Sequence, residues 1–145
     1  MNEIAAKALF ERDVAGLTER LLTSRNWKLY NKEFPILDVG FLAPNRAEFR
    51  LRLVARNWND LPPLAELLNA DGEFLKQLPQ YPSGIFHNGS HPSTGRPFIC
   101  MAGTLEYHTH SSHINDSWDN HKRKDAYTMG GIATQIWKGW LRASL

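Results

Sequence analysis

The stretch "AEFRLRLV", residues 47–54, constrains the fold most tightly. Phe49, Leu51 and Leu53 alternate with Glu48, Arg50 and Arg52, and a period of two belongs to a strand with one buried face and one wet face. Its partner lies just upstream. In "EFPILDVGFLAP", Pro35 marks an edge strand or the start of one, and Pro44-Asn45 supplies a turn. The two segments are expected to pair antiparallel across that short loop.

Both ends of the chain carry helical periodicity instead. Over residues 3–23, Ile4, Ala8, Phe10, Val14, Leu17 and Leu21 recur at three- and four-residue steps. Glu3, Lys7, Glu11, Arg12, Glu19 and Arg20 take the opposite face. From Tyr127 to Ala143, Ile132, Ile136, Trp137 and Trp140 share one helical face, while Gly130 and Gly131 either weaken the first turn or allow a close approach. The middle, "LPPLAELLNADGEFLKQLP", reads as a short helix opened by Pro63 or as a loop-rich crossing that ends at Pro79. From "PFICM" to "TLEYHTH" the pattern is β again, with a turn at Ala102-Gly103. Helix, antiparallel strands, a cysteine-bearing crossing and a final helix make an α+β domain. There is no internal repeat.

A chain of 145 residues fits one domain spanning 1–145 and is long enough to bury a sizeable core. No apolar run approaches the ~20 residues of a membrane span. The start, "MNEIAAKALFERD", lacks the basic-then-apolar order of a secretory signal, so a cytoplasmic protein with no membrane partner is expected. One cysteine excludes an internal disulfide. The formal charge of +2, without a Lys/Arg stripe, gives no reason to expect a nucleic-acid partner.

The chemistry concentrates in "FHNGSHPSTGRPFICMAGTLEYHTHSSH", residues 86–113, which holds Cys100 and five of the six histidines. Several readings are open. Cys100 can be an inert thiol buried as a small hydrophobe. A reactive thiol needs positive charge, donors or a base nearby, and Arg96, His87, Asn88, His91 and His108 are close in sequence. A metal site is the rival. If "TLEYHTH" is a strand, Glu106, His108 and His110 project from one face at roughly 7 Å steps, Cys100 joins them through the turn at Ala102-Gly103, and His113 offers another ligand. The sulfur, nitrogen and oxygen mix would favour zinc, although the C-x-x-C and H-E-x-x-H spacings are absent. A cysteine hydrolase with His108 as base is the third reading, and "RPFICMAG" is a poor helix start for such a thiol. Asp116 and Asp119 are either further acid/base candidates or loop and N-cap acids. Trp27, Trp58 and Trp118 are either core plugs or partner contacts.

The order of these features resembles the ubiquitin-conjugating enzyme family, and more closely its divergent bacterial members. The N-terminal helix, the antiparallel strands, the Pro-Pro step in "NWNDLPPL" and then "YPSGIFHNGSHPSTGRPFICM" follow the family's arrangement. His91-Pro92 stands ahead of Gly95, and Ile99-Cys100-Met101 stands where the family presents its thiol. Trp118 and the helix from Tyr127 are similar to the family's tryptophan and following helix. The resemblance implies a ubiquitin-conjugating-like fold in which Cys100 carries a ubiquitin-like protein as a thioester. Its partners would be that protein, an activating enzyme and an acceptor protein, with no cofactor and no metal. The family's Asn is replaced by Ser93, so the oxyanion donors are sought in His87, Asn88 and His91. Glu106 or His108 would handle the proton of the incoming amine, and the wet face of the N-terminal helix, with Lys7, Glu11 and Arg12, would dock the activating enzyme. The same stretch also resembles a bacterial family named for a predicted Cys-Glu-His-His metal signature. Here those residues would be Cys100, Glu106, His108 and His113, with His110 competing for the last place. The alternative function is therefore a small zinc-binding protein.

Overall fold

The computed structural model describes residues 2–79 and 84–143. Tyr81-Pro82-Ser83, near the start of the stretch that resembles the conjugating family, lies outside the described residues. In chain order the elements are α1 (Glu3–Val14), α2 (Glu19–Arg25), β1 (Trp27–Asn31), β2 (Ile36–Phe41), β3 (Phe49–Val54) and β4 (Leu64–Leu68). Then come two short strands, β5 (Phe86–His87) and β6 (Phe98–Ile99), a five-residue helix α3 (Leu105–Thr109), three 3-10 turns and the closing helix α4 (Met129–Arg142).

The α+β expectation is met. The alternating segment is β3, with Phe49, Leu51 and Leu53 buried, and it pairs antiparallel with β2 in the register Val39↔Leu51 and Phe41↔Phe49. β1 and β4 extend this pair into a four-stranded antiparallel meander in chain order. One face carries Leu37, Val39, Phe41, Leu51 and Leu53 into a core shared with Phe10, Ile132, Ile136 and Trp140. On the other face the guanidinium of Arg50 donates two hydrogen bonds to Asp38, at 2.9 and 2.8 Å. Arg52 pairs with Glu66 at 2.7 Å, and the Tyr30 hydroxyl donates to Glu48.

Three sequence expectations are corrected. The helix over 3–23 is two helices: α1 ends at Val14, and Thr18 starts α2 by accepting from the Leu21 N–H at 3.3 Å. The buried face of α1 is Ala6, Phe10 and Val14, so Ile4 lies in solvent at 83 % exposure. The segment after Pro63 is neither a helix nor a loose crossing. Leu64–Leu68 is β4, held by pairing along β3 from Val54↔Leu64 to Arg50↔Leu68. "TLEYHTH" is a helix and not a strand, with Thr104 Oγ1 accepting from the Tyr107 N–H at 3.3 Å as its N-cap.

The closing helix forms as expected, capped by Thr128, which accepts from the Gly131 N–H at 3.0 Å. Its glycines serve close packing: a Cβ on Gly131 would stand 2.6 Å from the carbonyl oxygens of Asp125 and Ala126. Trp27, Trp58 and Trp118 are all buried and act as core plugs. Lys7, Glu11 and Arg12 are exposed on α1. Among the described residues, no helix is long and apolar enough to cross a membrane.

Candidate functional site

Cys100 is placed by the small sheet that follows the meander. Phe98 and Ile99 are buried, β6 pairs with β5 in the register Phe86↔Ile99, and the Cys100 N–H donates to the Ile85 carbonyl at 2.7 Å. The apolar approach thus anchors the strand and delivers the thiol, partly exposed, at its end. The chain then reverses. Gly103 adopts φ +104°, a conformation open to glycine and strained for other residues, and the Thr104 hydroxyl lies 3.2 Å from the Met101 carbonyl, to which it donates. This turn, expected at Ala102-Gly103, sends α3 back past the cysteine.

On a helix, residues two apart point in nearly opposite directions, so Glu106, His108 and His110 do not form the row that a strand would give. Glu106 turns toward the sheet. Both of its oxygens accept from the Ala65 N–H at 3.1 Å, while the Leu105 N–H donates to the Pro63 carbonyl at 2.8 Å. α3 therefore closes the free edge of β4, satisfying main-chain groups that an edge strand leaves bare. Burial pushes the Glu106 carboxyl up to about 7. His108 turns the other way. Its Nε2 accepts from the Gly103 N–H at 3.0 Å and its Nδ1–H donates to the Asp116 carbonyl at 2.9 Å, a pairing that requires the neutral ring. Burial also lowers its pKa below the ordinary histidine value.

The residue that meets the sulfur is His113. Its Nε2 lies 3.2 Å from Cys100 Sγ. It sits in the 3-10 turn Ser111–His113, and its ring stacks on Tyr107 with centroids 4.0 Å apart and planes 17° from parallel. Below it the Tyr107 hydroxyl donates to Asp116 Oδ2 at 2.6 Å, and Asp116 Oδ1 meets His121 Nε2 at 2.7 Å. Those two partners hold the Asp116 carboxyl below its ordinary pKa, and Asp116 in turn pushes the Tyr107 phenol up to about 12. Burial pushes the Cys100 thiol up as well. The resting group is therefore a neutral thiol beside an imidazole nitrogen, an arrangement in which the ring is placed to accept the proton of the sulfur were it to act as a nucleophile.

The residues named on the oxyanion side are placed as follows. Asn88 accepts from the Leu78 N–H at 2.7 Å and donates to the Leu78 carbonyl at 3.3 Å. His91, 2 % exposed, accepts from the Ser93 N–H at Nδ1 and donates from Nε2 to the Glu106 carbonyl at 2.8 Å. Both spend their polar atoms on the main chain. His87 is exposed, with its ring 4.8 Å from Phe98. Of the two aspartates, Asp116 enters the network around the thiol, whereas Asp119 pairs with Lys122 at 3.0 Å. The Cys-Glu-His-His set does not converge, because Glu106 and His108 are committed to opposite sides of α3. Among the described residues, no group of three His, Cys, Asp or Glu side chains is arranged to hold a metal ion.

Sequence reasoning weighed His113 only as a metal ligand and passed over Tyr107 and His121. The available signal was the cap residue Thr104, which rolls the segment into a helix and brings Tyr107 and the following turn back to Cys100. No curated protein matches the chain. Residues 79–143, which carry Cys100, His113, Tyr107, Asp116 and the closing helix but not the four-stranded meander, match the family model described as Y4jH-like, the Y4jH family.

Proposed function

We propose that the protein is a thioester-forming group-transfer enzyme of ubiquitin-conjugating type, with Cys100 as the carrier and His113 as its base. The observation that supports it most directly is the 3.2 Å contact between Cys100 Sγ and His113 Nε2 at the partly exposed end of a strand. Helical N-terminal residues, here split into α1 and α2, then a four-stranded antiparallel meander, a cysteine-bearing crossing and, after the short α3, a closing helix also support it, because the resemblance implies a similar order.

In the loading step Sγ attacks the thioester carbonyl of a ubiquitin-like protein held on its activating enzyme. His113 Nε2 takes the thiol proton, the new C–S bond forms as the C–S bond to the activating enzyme breaks, and the proton passes from Nε2 to the departing thiolate, which leaves the ring neutral again. In the discharge step an amine of the acceptor protein attacks the thioester carbon. His113 accepts the proton that the amine sheds, the C–S bond breaks, and the proton returns to Sγ. Cysteine suits both steps because sulfur is a strong nucleophile and a good leaving group. This assignment moves the acid/base role, expected at Glu106 or His108, to His113. His87, exposed on the strand paired with β6, is the oxyanion-side residue left to approach the acyl carbonyl.

The test is an adduct assay. Protein incubated with the activating enzyme, ATP and the ubiquitin-like partner should yield a covalent adduct that reducing agent cleaves. Cys100→Ala should abolish the adduct, and His113→Ala should slow it about 100-fold. An adduct that survives reducing agent, or one that still forms in Cys100→Ala, refutes the proposal.

A further inference from the structure

We infer that Tyr107 and Asp116 are positioning residues that hold the His113 imidazole against the Cys100 sulfur, a proposal that rests on the reading of this pair as nucleophile and base. His113 needs such help because of where it sits. Its neighbours Ser111, Ser112, Ile114 and Asn115 are all exposed, and Ile114 reaches 78 %. A short surface turn with no buried neighbour leaves a side chain free to change rotamer.

Two contacts remove that freedom. The Tyr107 ring lies flat against the imidazole at 4.0 Å, which excludes rotations that would swing Nε2 off the sulfur. The Asp116 N–H donates to the His113 carbonyl at 3.0 Å, which fixes the main chain of the turn. Asp116 also locks the platform itself, since Oδ2 receives the Tyr107 hydroxyl at 2.6 Å while Oδ1 is tied to His121 at 2.7 Å. One residue thus secures both the backbone of the base and the ring beneath it. Tyr107 is fixed from its other end by α3, which Thr104 caps and which bonds to the edge of β4. Among the described residues, other titratable groups near His113 include Cys100 itself, His110 with its ring 6.0 Å away, and His108. None of them stacks on the imidazole.

A tyrosine that merely stabilised the fold would shift melting and leave the chemistry of the sulfur alone. The test is therefore the rate at which iodoacetamide alkylates Cys100 in the full chain, followed from about pH 5 to about pH 10, with circular dichroism as a check on folding. His113→Ala should remove the component of the rate near neutral pH that depends on the base. Tyr107→Leu, which loses the ring, should lower the rate at neutral pH about 10-fold and move the profile onto that of His113→Ala, since small misplacements of a reacting group carry penalties of this size. Tyr107→Phe keeps the ring and loses only the tie to Asp116, so it should recover most of the rate, with a deficit of about 3-fold that Asp116→Asn reproduces. If His113→Ala changes the profile while folded Tyr107→Leu keeps that of the wild type, the positioning role is overturned and the base survives. If His113→Ala changes nothing, the base and its positioning residues fall together.

Discussion

Glu106→Gln should remove a pH dependence of stability that the wild-type chain carries between acid and neutral pH. Glu106 is 3 % exposed, and its carboxyl is raised from 4.5 to about 7, chiefly by desolvation, against the partial relief of the bonds from Ala65 N. Because the folded value lies above the unfolded one, the unfolded chain gives up its proton first. The contribution to stability is therefore complete below about pH 4.5 and is lost as pH rises through about 7. At 1.36 kcal/mol per pKa unit the loss is about 3 kcal/mol. Glutamine is neutral throughout, and its Oε1 can still accept from the Ala65 N–H. Its amide then needs a partner of its own, which lowers the stability of the variant by about 1–3 kcal/mol at every pH and adds no slope. Urea unfolding of both proteins from about pH 4.5 to about pH 7.5 checks this, because groups common to both cancel in the difference. The wild type should lose about 3 kcal/mol relative to the variant across that window. Parallel curves would refute the argument, and with it the assignment of the Ala65 contact to a buried carboxyl that titrates near neutrality.

The other predictions concern the sheet, the turn and the metal question. Asp38→Ala leaves the guanidinium of Arg50 without its bidentate partner on a face where Asp38 is 4 % exposed. It should lower unfolding free energy by about 3 kcal/mol in chemical denaturation, with much of the loss recovered by Arg50→Met in the same chain. Gly103→Ala forces a Cβ onto φ +104° and to 3.1 Å from the Tyr127 ring. It should cost about 1–3 kcal/mol and reduce Cys100 alkylation, because the same turn places the thiol and anchors His108. Zinc titrated against a chelating dye should bind far more weakly than at a structural zinc site, since recruiting Glu106 and the Nε2 of His108 breaks the bonds to Ala65 N and Gly103 N. A tight stoichiometric site lost in His108→Ala would refute that expectation.

The meander was legible where burial alone dictates pattern. β3 has one wet face and one dry face, so its alternation survives in the sequence, and the turn at Pro44-Asn45 is written in residues that favour it, with Asn45 at φ +61°. β4 was illegible because Leu, Ala and Glu are good helix formers, and nothing local tells "LAELL" that β3 stands beside it. The break after Val14 was hidden for a related reason: Leu17 and Leu22 are buried too, so an apolar period continues across two helices. Gly16 and the capping Thr18 were the signals against it. At the site the thiol was legible from composition, but its partner was not. The spacing of Glu106, His108 and His110 imitates a strand face only when side-chain chemistry is counted as hydrophobic alternation would be, and α3 is set instead by a cap and by the open edge of β4.

That edge explains why so many histidines surround one cysteine. β4 ends the meander with main-chain groups that need partners, and α3 supplies them through Glu106 and Leu105. The loops on either side of α3 must then be pinned without much apolar material. An imidazole can accept at one nitrogen and donate at the other, which is how His91 joins Ser93 to Glu106 and His108 joins Gly103 to Asp116. These two rings are clamps. His113 differs because its Nε2 meets the sulfur, and because it is held by stacking on Tyr107 as well as by its main chain. His91 and His108 thus spend both ring nitrogens on the main chain, whereas His113 turns one nitrogen to the Cys100 sulfur. The division predicts opposite phenotypes: His91→Ala and His108→Ala should show first as lost stability, about 1–3 kcal/mol for each stranded main-chain group. His113→Ala should fold with near wild-type stability and show its defect only when the thiol is asked to react.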